Sequence, residues 1–197
     1  MKKLILTIAA AVTLGMFSAQ AQSNVDLSKS KIEWEGKKVG GGHNGTVDLK
    51  SGTLNVSNGE ITGGTFVIDM NSIVCLDIEN ADYNAKLVGH LKNDDFFSVD
   101  KFPTAELVIT KVVKLKGNEK GLTHNIYGNL TIKGITHEVV FPAKIATDAN
   151  GTLVATASFP VDRSKYDVKY GSTTFFPNLA DKAISNDMNF KVTLVAR

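Results

Sequence analysis

Between Leu122 and Ala196 apolar and polar residues alternate with period two, and the turns that interrupt the alternation leave its phase unchanged. No other feature constrains the fold as much, because sliding a strand by one residue would turn all of its side chains to the opposite face. Taking Lys133-Gly134 as a two-residue turn sets Ile132 against Ile135, Leu130 against His137, Gly128 against Val139 and Ile126 against Phe141. The next hairpin, around Asp148 to Gly151, pairs Ile145 with Ala155, Ala143 with Ala157, Phe141 with Phe159 and Val139 with Val161. Both hairpins select the same parity. One apolar face therefore runs across three strands, while Lys144, Thr156, Ser158 and Asp162 lie on the other. The last run continues it, with Met188, Phe190, Val192 and Leu194 alternating with Asn189, Lys191 and Thr193.

Similar runs, separated by Gly and Asn turns, recur along the chain and predict an all-β fold. The expected strands are Lys31–Val39, Gly45–Lys50, Thr53–Ser57, Glu60–Asn71, Ala105–Leu115, Leu122–Lys133, Ile135–Thr147, Thr152–Arg163 and Asp187–Ala196. Joining the second and third as one bent strand gives about eight. One apolar and one wet face suit either a closed antiparallel barrel or a sandwich. The small inward residues Gly128, Ala143, Ala155 and Ala157 favour the barrel, since a ligand-free sandwich core needs larger side chains to reach native density. An eight-stranded barrel is about the size that holds one small ligand. All four prolines follow Phe, as Phe102-Pro103, Phe141-Pro142, Phe159-Pro160 and Phe176-Pro177. Each Phe is thereby held extended beside an irregularity, either a barrel corner or a bend that opens the wall.

The N-terminus reads as a secretory signal: Met1-Lys2-Lys3, an apolar run from Leu4 to Phe17, then Ser18-Ala19-Gln20-Ala21. Cleavage is expected after Ala21, leaving one domain over residues 22–197, long enough for a sizeable core. The apolar run falls short of a membrane span of about 20 residues, and nothing later replaces it. Loss of Lys2 and Lys3 takes the formal charge from +2 to about 0, so no net basic field remains to attract nucleic acid or an anionic membrane. Cys75 is the only cysteine, which excludes an internal disulfide and leaves either a small buried hydrophobe or a thiol that bridges two subunits.

Catalytic signatures are sparse. Gly40-Gly41-Gly42-His43-Asn44-Gly45 fits G-x-G-x-x-G formally, but Thr46 to Lys50 alternates as a strand where the dinucleotide motif needs a helix, so the run is expected to be a flexible turn. His43, His90, His124 and His137 show no metal-ligand spacing, and a metal site would have to be assembled by the fold. No metal or cofactor is expected. Asp94-Asp95 reads as a helix cap rather than a catalytic pair, and no serine sits in a Gly-x-Ser-x-Gly elbow. His137 falls on the apolar face near the Lys133-Gly134 turn, either as a satisfied rim residue or as a contact to a ligand headgroup. Arg163, Lys165 and Tyr166 form a second polar group, expected in a solvated loop.

Before the later strands, Asn80 can cap a short helix in which Tyr83, Leu87 and Leu91 share a face with Val88 beside them. Asp94 can cap a further turn that sets Phe96 and Phe97 against what the helix covers. The stretch Gly89-His-Leu-Lys-Asn-Asp-Asp-Phe-Phe-Ser-Val-Asp-Lys-Phe-Pro103 resembles the signature of the YceI-like family of periplasmic, polyisoprenoid-binding proteins. Gly128-Asn-Leu-Thr-Ile-Lys-Gly-Ile-Thr-His-Glu-Val139 and Phe159-Pro-Val-Asp-Arg-Ser-Lys-Tyr166 fall where such a protein has them. The resemblance implies an eight-stranded antiparallel, lipocalin-like barrel with a short helical segment, a periplasmic or secreted location, a homodimer, and a polyisoprenoid, isoprenoid quinone or other long-chain lipid as ligand, without catalysis. Residues expected to meet that ligand are Leu87, Leu91, Phe96 and Phe97 from the helical segment. From the inward face come Gly128, Leu130, His137, Val139, Phe141, Ala143, Ala157, Phe159 and Phe190. Two rivals stand beside this reading: an enzyme acting on a lipophilic substrate through His137 or His90, and a secreted interaction module with a filled core.

Overall fold

Nine strands and one helix make up the computed structural model, which describes residues 20–58, 60–117 and 121–197. They are β1 (Gln20–Asn24), β2 (Lys31–Lys38), β3 (Gly41–Ser57), β4 (Glu60–Cys75), α1 (Ala81–Lys92), β5 (Thr104–Lys114), β6 (His124–Ile132), β7 (Ile135–Thr147), β8 (Leu153–Asp162) and β9 (Ile184–Ala196). Around the ring β2 pairs with β9, then β8, β7, β6, β5, β4 and β3 follow, and β3 returns to β2, so eight antiparallel strands close a barrel. β1 lies outside the ring on the second half of β3. Of the expected signal segment, residues 1–19 lie outside the described residues, while Gln20 and Ala21 head β1, opposite Ser57 and Val56. Among the described residues no helix is long and apolar enough to cross a membrane.

The first hairpin has the register that parity dictates. Lys133 (φ 51°) and Gly134 (φ 72°) both take left-handed backbone, which makes a type I′ turn, and all four expected β6–β7 pairs form. In the second hairpin Ile145 pairs with Ala155 and Ala143 with Ala157, but the ladder ends there and the expected Val139–Val161 pair is not made. Pro142 and Pro160, which have no N–H to donate, flank the break. Phe141 and Phe159 stack across it, ring centroids 4.0 Å apart and planes 10° from parallel. Beyond them β7 and β8 part, and the 3-10 turn Arg163–Tyr166 fills the space, with Tyr166 edge-on to His137.

Other boundaries move for identifiable reasons. β3 is one strand starting at Gly41, so the glycine run is mostly strand and the turn is confined to Val39 and Gly40. A side chain at Gly45 would collide with the Val74 carbonyl and the Trp34 indole, a close approach that only glycine permits. β4 runs on to Cys75, and β9 starts at Ile184 rather than Asp187. The Asn80 carboxamide caps α1 by accepting from the N–H groups of Asp82 and Tyr83, both at 3.1 Å. Tyr83 faces solvent instead of the core. The turn after the helix is capped by Asn93, whose Oδ1 accepts from Asp95 N at 3.0 Å, whereas Asp94 pairs with Lys101 at 2.7 Å. Only Phe141 and Phe159 of the four Phe-Pro aromatics stand in strands; Phe102 and Phe176 are in turns, and Phe176 is exposed.

Candidate functional site

The inward face encloses a cavity of about 280 Å³. A water molecule needs roughly 10–15 Å³ on this measure, so the space is large, and the wall offers almost no polar surface to hold water. Three aromatic rings span one side of it: Phe159 stacks on Phe141 and lies 6.2 Å from its β9 ladder partner Phe190. Beside them Ala143, Ala155 and Ala157 leave the room that larger residues would fill. Leu87, Leu91, Phe96 and Phe97 close one end against Ile32, Met70 and Ile73 of the barrel.

Polar groups gather at that end. Lys37, Lys38 and His43 come from the β2–β3 hairpin, His90 from α1, and Tyr170 and Ser185 from the segment before and into β9. Arg163 ties the start of β9 into this end. It is 1% exposed, and its Nε, Nη1 and Nη2 donate to the carbonyls of Ser185 (2.9 Å), Val168 (2.9 Å) and Ile184 (3.1 Å). Its guanidinium also lies 5.4 Å from the centre of the Phe96 ring. Burial pushes its pKa down, with Asp162 acting in the opposite sense. Tyr166 is equally buried, so the loop expected to be solvated is a packed corner, and of the three residues read there only Lys165 is exposed.

Ten of the expected ligand contacts lie on the cavity wall: Leu87, Leu91, Phe96, Phe97, Leu130, Phe141, Ala143, Ala157, Phe159 and Phe190. Gly128, Val139 and His137 do not. The space over Gly128 is taken by the Leu107 side chain and the Val108 carbonyl. Val139 packs in a separate cluster around Ile126 and Phe141. His137 turns to the 3-10 corner, its Nε2 2.9 Å from the Lys165 carbonyl oxygen. Trp34 was missed in the sequence and Arg163 was expected in a solvated loop, although a signal existed for both. Trp34 pairs with Phe190, so carrying the β9 parity across to β2 places its ring inside. Arg163 extends the inward series Ala155, Ala157, Phe159 and Val161 by one more step.

Cys75 is buried, and its thiol donates to Asp77 Oδ1 at 3.1 Å. Burial, aided by that hydrogen bond to Asp77, pushes the thiol pKa up. The alternative of a solvent-facing thiol between subunits therefore does not fit this geometry. Burial acts to raise the pKa of Asp77, but hydrogen bonds from Asn44 N–H, His43 and Cys75 outweigh it and hold the carboxyl at about 2.

A closed antiparallel barrel around one apolar cavity, capped by a short helix, defines the lipocalin-like class of ligand-holding barrels. Within that class, residues 24–196 match the model of the YceI-like domain, and the chain belongs to the YceI-like family. A UPF0312 protein of Yersinia enterocolitica is 38% identical over 61 residues, a match that spans 31% of this chain and 29% of the relative. Solved structures agree on the fold. The chain is similar to BcnA of Burkholderia cenocepacia (TM-score 0.64, 23% identity, 88% of this chain and 99% of the other). It is also similar to a polyisoprenoid binding domain from Saccharophagus degradans implicated in plant cell wall breakdown (TM-score 0.63, 14% identity, 91% and 99%). A YceI protein of Campylobacter jejuni gives a TM-score of 0.53 at 18% identity over 99% and 97%.

Proposed function

We propose that this protein is a periplasmic or secreted carrier that holds a polyisoprenoid, an isoprenoid quinone or a similar long-chain lipid in the barrel, without catalysing a reaction on it. The observation that carries the reading is the apolar cavity of about 280 Å³, walled by stacked aromatics and alanines. Burying about ten methylenes contributes on the order of 8 kcal/mol, equivalent to roughly micromolar binding before association costs. The tail alone supplies that, so no charged anchor inside the barrel is required. Family membership and the fold shared with the Saccharophagus polyisoprenoid binding domain support the same ligand class. An enzyme in the same cavity would need an acid or base facing it; of the two candidates His137 faces the 3-10 corner instead, and His90, on the cavity wall, is the residue that rival would rest on.

Solvent extraction and mass spectrometry of protein purified without detergent tests the reading. A stoichiometric long-chain lipid is expected; an empty protein that also fails to take up added isoprenoid would refute it. Secretion is tested by N-terminal sequencing, with Gln22 as the expected first residue and a start beyond Asp26 counting against cleavage after Ala21. A homodimer is the expected solution state, measured by sedimentation.

A further inference from the structure

Where β3 and β4 run side by side at the polar end, three side chains converge that the lipid reading leaves without a task. Cys75 ends β4 opposite Gly45 of β3, and Leu76 N donates to Asn44 O at 2.9 Å, which fixes the two strands against each other. His43 lies two residues before Gly45 on β3, and Asp77 two residues after Cys75. Asp77 bridges the other two: Cys75 Sγ is 3.1 Å from its Oδ1, and His43 Nδ1 is 2.9 Å from its Oδ2. The Asn44 N–H also donates to Oδ1 at 3.0 Å and orients the carboxylate. One ligand atom from each residue lies within 4.8 Å of the others.

We propose that His43, Cys75 and Asp77 form a zinc-binding site. Zn–S bonds of about 2.3 Å and Zn–N or Zn–O bonds of about 2.0–2.2 Å put the ligands of one tetrahedral ion about 3.3–3.6 Å apart. The separations to Asp77, 2.9 and 3.1 Å to its two different oxygens, are already near this range, and the His43–Cys75 separation, within 4.8 Å, has to close by no more than about 1.2 Å. Charge also balances: a thiolate, a carboxylate and a neutral imidazole together neutralise one divalent ion, and the single proton lost from the Cys75 thiol leaves to solvent. Sulfur with imidazole nitrogen selects zinc over calcium or magnesium, which take oxygen ligands. The His43 and Asp77 side chains are 33% and 27% exposed, so an ion can enter, while Cys75 forms the buried floor. Three protein ligands leave a fourth position open. Because His43 also lies on the cavity wall, the ion would fasten the β3–β4 end of the barrel beside the polar end of the cavity.

The site is independent of the lipid reading and is tested without lipid. The chelator-treated full-length mature protein is titrated with Co²⁺ as a spectroscopic probe, then with Zn²⁺ in competition. One Co²⁺ per chain is expected, with a thiolate-to-cobalt charge-transfer band in the near ultraviolet that Zn²⁺ removes. Losing a group that only positions a ligand costs about 10–100-fold in metal affinity, so Cys75→Ser should weaken binding by on the order of 100-fold and abolish the band. Asp77→Asn and His43→Gln should weaken it while the band persists at high Co²⁺. Zn²⁺ should raise the melting temperature of the wild type and leave that of Cys75→Ser unchanged. Absence of the band in the wild type, or unaltered affinity in Cys75→Ser, would overturn the proposal. Should Cys75→Ser fail to fold, the wild-type spectrum decides alone, since Cys75 is the only cysteine in the chain.

Discussion

The wall built by β6 to β9 and the polar end around Arg163 are assembled in different ways. In the wall, β6, β7 and β8 are joined through short hairpins and β9 pairs with β8 in unbroken register, so a residue's parity decides which face it takes. At the polar end the partners are set by no hairpin ladder: Arg163 binds the carbonyls of Val168, Ile184 and Ser185, up to 22 residues further along the chain. The energetics differ accordingly. Many apolar contacts share the stabilisation of the wall, so no one of them dominates. A few directional bonds hold the corner, and removing their common donor breaks three of them at once and leaves the buried Val168 carbonyl unpaired.

Arg163→Met is the most direct way to break that contrast. It orphans the buried Val168 carbonyl, at about 1–3 kcal/mol, and removes the bonds to the part-buried carbonyls of Ser185 and Ile184, so a loss of about 2–3 kcal/mol is expected from urea unfolding. Arg163→Lys should recover only part, because a single ammonium cannot reproduce the planar fork. A loss below about 1 kcal/mol in Arg163→Met would mean that the corner is held by apolar packing, like the wall.

Next in size is Gly134→Ala in the β6–β7 turn. Left-handed backbone costs an L-residue about 1–2 kcal/mol, and a Cβ there would come within 3.2 Å of the Phe102 ring. A stability loss of that order is expected, with the extracted lipid unchanged because neither residue of the turn lines the cavity. Loss of lipid from this variant would show that the hairpin register, and not merely the wall's composition, holds the cavity open.

The same contrast decides what was legible in the sequence. The β6–β7 register, the inward alanines and the Asn80 cap were readable because each depends on residues close in the chain. β3 was divided in two because its pairing with β4 shifts between Thr46 and Asp48 and again between Leu49 and Ser51, which interrupts the alternation. β1 falls across the end of the expected signal segment, and its five residues, Gln-Ala-Gln-Ser-Asn, are too few and too polar to show a strand pattern. Arg163 was placed in a solvated loop because the carbonyls that make its burial tolerable lie up to 22 residues further along the chain. His43, Cys75 and Asp77 show no ligand spacing in sequence, since the β3–β4 pairing alone brings them together.

The smallest change in stability is expected where the wall should have room to spare. Ala143 and Ala157 are ladder partners, and both border the cavity next to the Phe141–Phe159 stack. If that space receives a lipid tail, Ala143→Phe or Ala157→Phe puts a ring into volume the tail would occupy. The ring gains apolar contacts without displacing protein atoms, so stability should change by less than about 1 kcal/mol, while the lipid extracted per chain falls to near zero. In a core that is already full the same ring must push its neighbours off their rotamers, at about 1–3 kcal/mol. Unfolding midpoints and extracted lipid, measured on one preparation, separate the two cases. Strong destabilisation in both variants, with a wild type that yields no lipid, would leave the aromatics and alanines as packing and remove the reason to read the barrel as a carrier.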